Sequence, residues 1–181
     1  MKHPIDSDVT FSKNEVIRML NEIPRNHLRV YTSMGDDMPL SSWTIVDTSG
    51  VSGEEIYQCL ERGRIWINIQ RIDQLDGQYK RLSELLYSSL SRQLDNFKPS
   101  YIHTYLLLSS PGVAVNYHLD AYENFFWCLK GKKTFYLFDV EKHPELCSQH
   151  SLEDICAGAD DFIAYRPEFH QLSQRIEIEE G

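Results

Sequence analysis

The sequence predicts one mainly β domain decorated with helices, and the order of its patterns leads to this expectation. Helical patterns with scattered strands fill residues 1–100, whereas apolar runs of strand type follow one another through residues 101–181. The 181 residues suffice for one domain with a real core, and 41% of them are apolar. We therefore expect residues 1–100 to pack on a β core formed by residues 101–181.

Helix signals are concentrated in the first half of the chain. A Ser-x-x-Glu capping box precedes an amphipathic pattern that predicts a helix over residues 13–22. A second capping box begins at Ser52, and the helix that follows should end with Gly63 in the C′ position. Regularly spaced leucines predict a longer helix over residues 77–95.

Strand patterns are found in both halves of the chain. In residues 64–70 an isoleucine at every second position predicts a strand with one buried face. The runs 124–129 and 133–138 flank a short connection that contains Gly131, so we expect them to pair as a hairpin. The remaining expected strands are residues 28–32, 43–47, 104–108, 113–120 and 175–179.

The expected hairpin has an unusual face. If Cys128 pairs with Lys133, that face also carries Asn124, Phe126, Phe135 and Leu137. A lysine on an otherwise apolar strand face is rare, because burying an unpaired ammonium costs free energy. Lys133 should therefore have a partner that the sequence does not provide, unless it is an ordinary surface lysine after a turn.

Composition excludes several classes of function. The formal charge is −9, with 27 acidic and 18 basic residues and no basic stripe, so direct nucleic-acid binding is not expected. No leader pattern and no apolar run of membrane-spanning length is found. The four cysteines show no metal or disulfide spacing, so we expect reduced thiols in a cytoplasmic protein.

His118 and Asp120 are the candidate metal ligands. In a strand, residues two apart share a face, so an imidazole and a carboxylate would lie side by side. Such a pair makes two thirds of a 2-His-1-carboxylate facial triad. A hydrogen-bonded His–Asp pair without metal is the alternative.

The motifs His-x-Asp (118–120), Asn-Phe-Phe (124–126) and Lys-Gly-x-Lys (130–133) resemble the Jumonji-C-like cupin family of Fe(II)/2-oxoglutarate-dependent oxygenases. The bacterial cupin-like group is the most similar part of that family, which also includes the asparaginyl hydroxylase that inhibits hypoxia-inducible factor. The similarity covers roughly residues 104–139, with weaker similarity over residues 63–69 and 165–181.

The resemblance implies a double-stranded β-helix, or jelly roll, with Fe(II) at one mouth and 2-oxoglutarate as cosubstrate. It implies that His118 and Asp120 bind the metal, that Lys133 pairs with the distal carboxylate of 2-oxoglutarate, and that Asn124 contacts the bound cosubstrate. The activity it implies is hydroxylation of a protein or small-molecule substrate that the sequence does not identify.

Departures from the family pattern lead to further expectations. Val115 occupies a position that is frequently Thr or Ser in the family. Trp66 lies near the position of a tyrosine that binds the cosubstrate in some relatives. His170 is the nearest candidate for the third ligand, but we expect that ligand beyond Gly181 and the C-terminal strands to be incomplete. Strand 175–179 should then be poorly supported and open to pairing in a homodimer.

Two alternatives to the oxygenase remain. One is a non-catalytic cupin-like binding module without metal, which would agree with a chain that lacks one ligand. The other is a metal-dependent cupin of another reaction class. Lys133 separates the oxygenase from the second alternative, because only a dicarboxylate cosubstrate needs a distal cation.

Overall fold

A computed structural model describes residues 11–32, 44–115, 117, 118, 120, 123–147 and 166–180. The chain divides into two compact units, and the boundary lies between Val113 and Ala114. We call the described residues up to Val113 the N-terminal unit and those from Ala114 the C-terminal unit. That the chain forms one domain stays a prediction.

Four helices belong to the N-terminal unit: α1 (Lys13–Glu22), α2 (Gly53–Arg62), α3 (Ile72–Leu75) and α4 (Gly77–Gln93). The capping box at Ser52 is confirmed, because its hydroxyl accepts from the Glu55 amide and the Glu55 carboxylate accepts from the Ser52 amide. Gly63 is not a left-handed C′ residue. It is the C-cap in an extended conformation (φ −97°), and its amide donates to the Cys59 carbonyl at 2.7 Å.

The four-stranded sheet of the N-terminal unit is antiparallel throughout, in the order β2-β1-β3-β4. Its strands are β1 (Leu28–Thr32), β2 (Thr44–Ile45), β3 (Ile65–Ile69) and β4 (Leu106–Ser109). The predicted alternation of β3 is confirmed, since Ile65, Ile67 and Ile69 are buried. The apolar face of the sheet and the apolar faces of the helices supply the core of this unit. Its most buried side chains are Leu20, Ile67, Ile69, Ile72 and Tyr79.

The C-terminal unit contains a two-stranded antiparallel sheet, β5 (Lys132–Phe138) with β6 (Ser173–Glu179). The predicted hairpin is therefore wrong: residues 124–129 are irregular and β5 pairs with β6 instead. Residues 173–179 are paired with β5 from Lys132↔Glu179 to Phe138↔Ser173, and that the other edge of this strand is open to pairing in a homodimer stays a prediction. Residues 124–129 and β6 both have strand-type patterns, and the turn at Gly131 does not decide which of them pairs with β5.

Antiparallel sheets with helices agree with the predicted mainly β class. Closure into a jelly roll and the incompleteness of its C-terminal strands stay predictions. Within the part of the chain that the structure describes, every helix is too short or too polar to cross a membrane.

Candidate metal and cosubstrate site

His118 and Asp120 lie side by side, as predicted. The distance from His118 Nε2 to Asp120 Oδ2 is 3.7 Å, and the two side chains are 36% and 52% exposed. The local backbone differs from the prediction, since in the described part of residues 113–120 only a β bridge at His118 replaces the expected strand. The pairing of the two side chains therefore does not depend on a regular strand.

Tyr117 anchors the backbone next to His118. Its ring packs edge-on against Phe138, with ring centres 4.9 Å apart, and also contacts the buried ring of Phe169 at 6.2 Å. Its hydroxyl donates to the carbonyl of the fully buried Leu146 at 3.4 Å. The sequence analysis did not single out Tyr117, which combines aromatic packing with a hydroxyl that finds a hydrogen-bond partner. Because the Tyr117 side chain packs in the small core of the C-terminal unit, it restrains the backbone from which His118 projects.

The pair fits two adjacent positions around a divalent ion. Two ligands about 2.1 Å from an ion and at right angles are about 3 Å apart. The observed 3.7 Å between Nε2 and Oδ2 thus requires only a small closing movement. An imidazole and a carboxylate are also the donor types that iron(II) takes in the facial triad.

A third ligand is not found among the described residues, where no three His, Cys, Asp or Glu side chains cluster closely enough to hold a metal. His170 therefore does not join His118 and Asp120. It lies in the 3-10 helix Pro167–Leu172, and its ring packs on Tyr136 of β5 with centres 4.7 Å apart. Two further histidines have structural partners: His27 contacts the Gln70 carbonyl and His143 contacts the Glu145 carboxylate.

Lys133 lies half-buried on the apolar face of the β5–β6 sheet, which confirms the predicted lysine on an apolar face. Strand alternation places it with Phe135 on β5 and with Ile176 and Ile178 on β6. On the opposite face Glu177 forms ion pairs with Lys132 and Arg175 and accepts a hydrogen bond from the Thr134 hydroxyl.

The Lys133 ammonium has no ion pair or hydrogen bond with any residue that the structure describes. Its burial lowers its pKa below the usual value, because desolvation disfavours the charged form. Among the described residues this desolvated cation therefore lacks a counter-charge.

Part of the predicted apolar face forms without the hairpin. Phe126 packs edge-on against Phe135, with ring centres 4.8 Å apart, and Cys128 is buried. The hydrophobic pattern thus identified which side chains meet, although it did not identify the strand pairing.

A family model for the cupin-like domain matches residues 52–179 of the chain. The chain belongs to the cupin-like domain family. The match includes β3, both candidate ligands and Lys133, and it ends at the last residue of β6. Comparison with curated proteins gave no match, and comparison with solved structures gave none either.

Asn124 of this cupin-like chain is exposed and makes no hydrogen bond with another described residue. Its predicted contact with the cosubstrate stays a prediction. Trp66 lies in the N-terminal unit, where it stacks on Tyr31 with ring centres 4.2 Å apart. Two polar atoms on this face of β3, Trp66 Nε1 and Asn68 Oδ1, are buried without a hydrogen-bond partner in the described structure. Buried polar atoms are normally paired, and the described N-terminal unit has two further unpaired ones, Tyr79 Oη and His103 Nδ1.

Proposed function

We propose that this cupin-like chain is an Fe(II)/2-oxoglutarate-dependent oxygenase of the hydroxylase type. The observation that carries the proposal is Lys133, a desolvated ammonium on an apolar sheet face without a counter-charge among the described residues. Such a cation is costly unless a ligand supplies the anion. A dicarboxylate cosubstrate needs this arrangement, whereas other cupin chemistry does not.

The residues have separate tasks in this proposal. His118 and Asp120 hold the metal through Nε2 and Oδ2, the atoms that lie 3.7 Å apart. Iron(II) and 2-oxoglutarate, when bound, supply the oxidation of a substrate C–H bond by dioxygen. Tyr117 keeps the ligand pair in place through its contacts with Phe138 and Leu146.

Lys133 binds the distal carboxylate of the cosubstrate, and Asn124 orients the bound ligand. Because the apolar face excludes water, an ion pair formed there is stronger than one at the surface. The incoming carboxylate also favours the charged form of the lysine, so it raises the pKa that burial lowers. The substrate is a protein side chain or a small molecule, because related folds act on both.

Succinate formation from 2-oxoglutarate tests the proposal without a known substrate, since these oxygenases turn over their cosubstrate slowly alone. We expect succinate that requires Fe(II) and that is lost in His118→Ala and Asp120→Ala. Glu123→Ala is the matched control, because this carboxylate is exposed and does not pair with His118.

Other results would favour the alternatives. Metal binding without any use or binding of 2-oxoglutarate would indicate a cupin of another reaction class. If the chain binds neither metal nor 2-oxoglutarate, it is a binding module and the proposal is wrong.

A further inference from the structure

The turn formed by Lys130 and Gly131, directly before β5, is held from one side by the buried thiol of Cys128. Cys128 is 7% exposed, and its one S–H proton is shared between two carbonyl oxygens, that of Gly131 at 3.4 Å from Sγ and that of Lys130 at 3.6 Å. A buried cysteine usually behaves as a small apolar side chain with a weak donor. Here both acceptors belong to the same turn, so one side chain constrains two consecutive peptide groups.

The end of β6 holds the same turn from the other side. The Gly131 carbonyl accepts from the Glu180 amide at 3.0 Å, and the Gly131 amide donates to the Glu180 carboxylate at 3.3 Å. Gly131 has a φ of +77°, a left-handed conformation that glycine adopts without strain. The turn is therefore held between Cys128 and Glu180, and β5 begins directly after it at Lys132.

Lys133 closely follows this turn along the chain. Its ammonium and the Cys128 thiol are near enough for each to affect the charge of the other. Burial raises the pKa of Cys128, so the thiol stays protonated at neutral pH and donates to the turn. A neutral thiol does not act as a counter-ion, and the ammonium remains available to a ligand.

We propose that Cys128 is a positioning residue: its thiol holds the turn that aims Lys133 at the distal carboxylate of a 2-oxo dicarboxylate. The inference rests on the proposed function, because it assigns Lys133 the same ligand. Without the thiol the turn samples more conformations, and only some of them direct the ammonium correctly. The apparent dissociation constant rises in inverse proportion to the fraction of molecules that keep the competent turn.

Binding of two 2-oxo acids to the Mn(II)-loaded chain tests this role. 2-Oxoglutarate and pyruvate share the chelating end, but only 2-oxoglutarate has a distal carboxylate. In Cys128→Ala we expect the dissociation constant of 2-oxoglutarate to rise about three- to fivefold, the size of one neutral hydrogen bond. The constant for pyruvate should not change, and Cys128→Ser, which keeps a donor, should restore binding of 2-oxoglutarate.

Two further variants act as controls. Cys59→Ala removes an exposed thiol of the N-terminal unit and should leave both constants unchanged. Cys128→Val removes the donor but fills the buried volume, so it carries the same expectation as Cys128→Ala if the alanine variant does not fold.

The inference is overturned if both constants change equally in the Cys128 variants, which would indicate a general structural role, or if neither changes. Its failure differs from failure of the proposed function. If only the inference about Cys128 fails, the wild-type chain still prefers 2-oxoglutarate over pyruvate. If the proposed function fails, the wild-type chain binds neither compound or shows no preference between them.

Discussion

Replacing Lys133 with methionine should separate cosubstrate binding from metal binding. Methionine has a similar length and keeps the apolar contacts of the β5–β6 face, but it removes the ammonium. The candidate metal ligands His118 and Asp120 belong to a different segment, so affinity for Mn(II) should be unchanged in this variant. The affinity for 2-oxoglutarate should fall.

The size of that fall follows from the contact that is lost. A hydrogen bond to a charged group contributes about 1.5–3 kcal/mol. This range corresponds to an increase of about 10- to 150-fold in the dissociation constant of 2-oxoglutarate. Half-burial of Lys133 on an apolar face favours the upper part of the range, because water competes less there.

Isothermal titration of the Mn(II)-loaded chain with 2-oxoglutarate measures the effect, and Lys132→Met is the matched control. Lys132 is the neighbouring lysine of the same strand, but it lies on the opposite face and its Nζ is 3.3 Å from Glu177. We expect less than a twofold change in this control. Equal losses in the two variants, or parallel losses of metal and cosubstrate in Lys133→Met, would refute the assigned role.

The pH dependence of Lys133 provides a second measurement on the same variant. The folded-state pKa is below the usual value of 10.5, so the unfolded chain binds more protons between these two values. The wild-type chain should therefore gain stability relative to Lys133→Met as pH rises through this window. Binding of 2-oxoglutarate needs the ammonium, so it should weaken over the same window in the wild type.

Three stability predictions concern the N-terminal unit and are measured by urea unfolding. Ile67→Ala empties a fully buried position of β3 and should cost about 2–5 kcal/mol, whereas Ile45→Ala in the same sheet, where the side chain is 60% exposed, should cost less than about 0.5 kcal/mol. Gly53→Ala should cost about 1–3 kcal/mol, because the new Cβ would lie 2.6 Å from a backbone oxygen of α1. Gly77→Ala is the control, since Gly77 is also the first residue of a helix. The new Cβ there would lie 3.9 Å from its nearest atom, so this variant should be neutral or stabilising. Tyr79→Phe should raise stability by about 1 kcal/mol, since the buried hydroxyl has no hydrogen-bond partner in the described structure and burial raises its pKa to about 12. An unchanged unfolding free energy in Ile67→Ala, equal costs in the two glycine variants, or a clear loss in Tyr79→Phe would contradict these assignments.

Local signals in the sequence predicted local structure well. The capping box at Ser52 and the alternation of Ile65, Ile67 and Ile69 depend on residues close in the chain, and the structure confirms both. The proximity of His118 and Asp120 was likewise predictable, because residues two apart meet in any extended segment.

Long-range pairing was not predictable in the same way. The glycine turn before β5 suggested a hairpin with residues 124–129, but β6 offers a similar apolar alternation and forms the ladder instead. Nothing in the pattern of β5 itself distinguishes the two partners, because an alternating strand can pair with either. The face of Lys133 was nevertheless predicted correctly, since alternation along β5 does not depend on which strand is beside it.

The roles of Tyr117 and Cys128 required the structure for another reason. Tyr117 acts through Phe138 and Leu146, and Cys128 acts through carbonyl groups, so neither role leaves a motif in the sequence. The metal site is the opposite case. The roles of His118 and Asp120 as its donors stay predictions, and the third ligand, assigned by resemblance alone, is not among the described residues.

Anaerobic titration of the Fe(II)-loaded chain with 2-oxoglutarate tests the central claim most directly. Chelation of iron(II) by a 2-oxo acid produces a visible charge-transfer absorption band, so cosubstrate binding at the metal is observed without a substrate. We predict a saturable band that disappears in His118→Ala and that requires a much higher 2-oxoglutarate concentration in Lys133→Met. A chain that holds iron(II) but shows no band at any 2-oxoglutarate concentration would contradict the account.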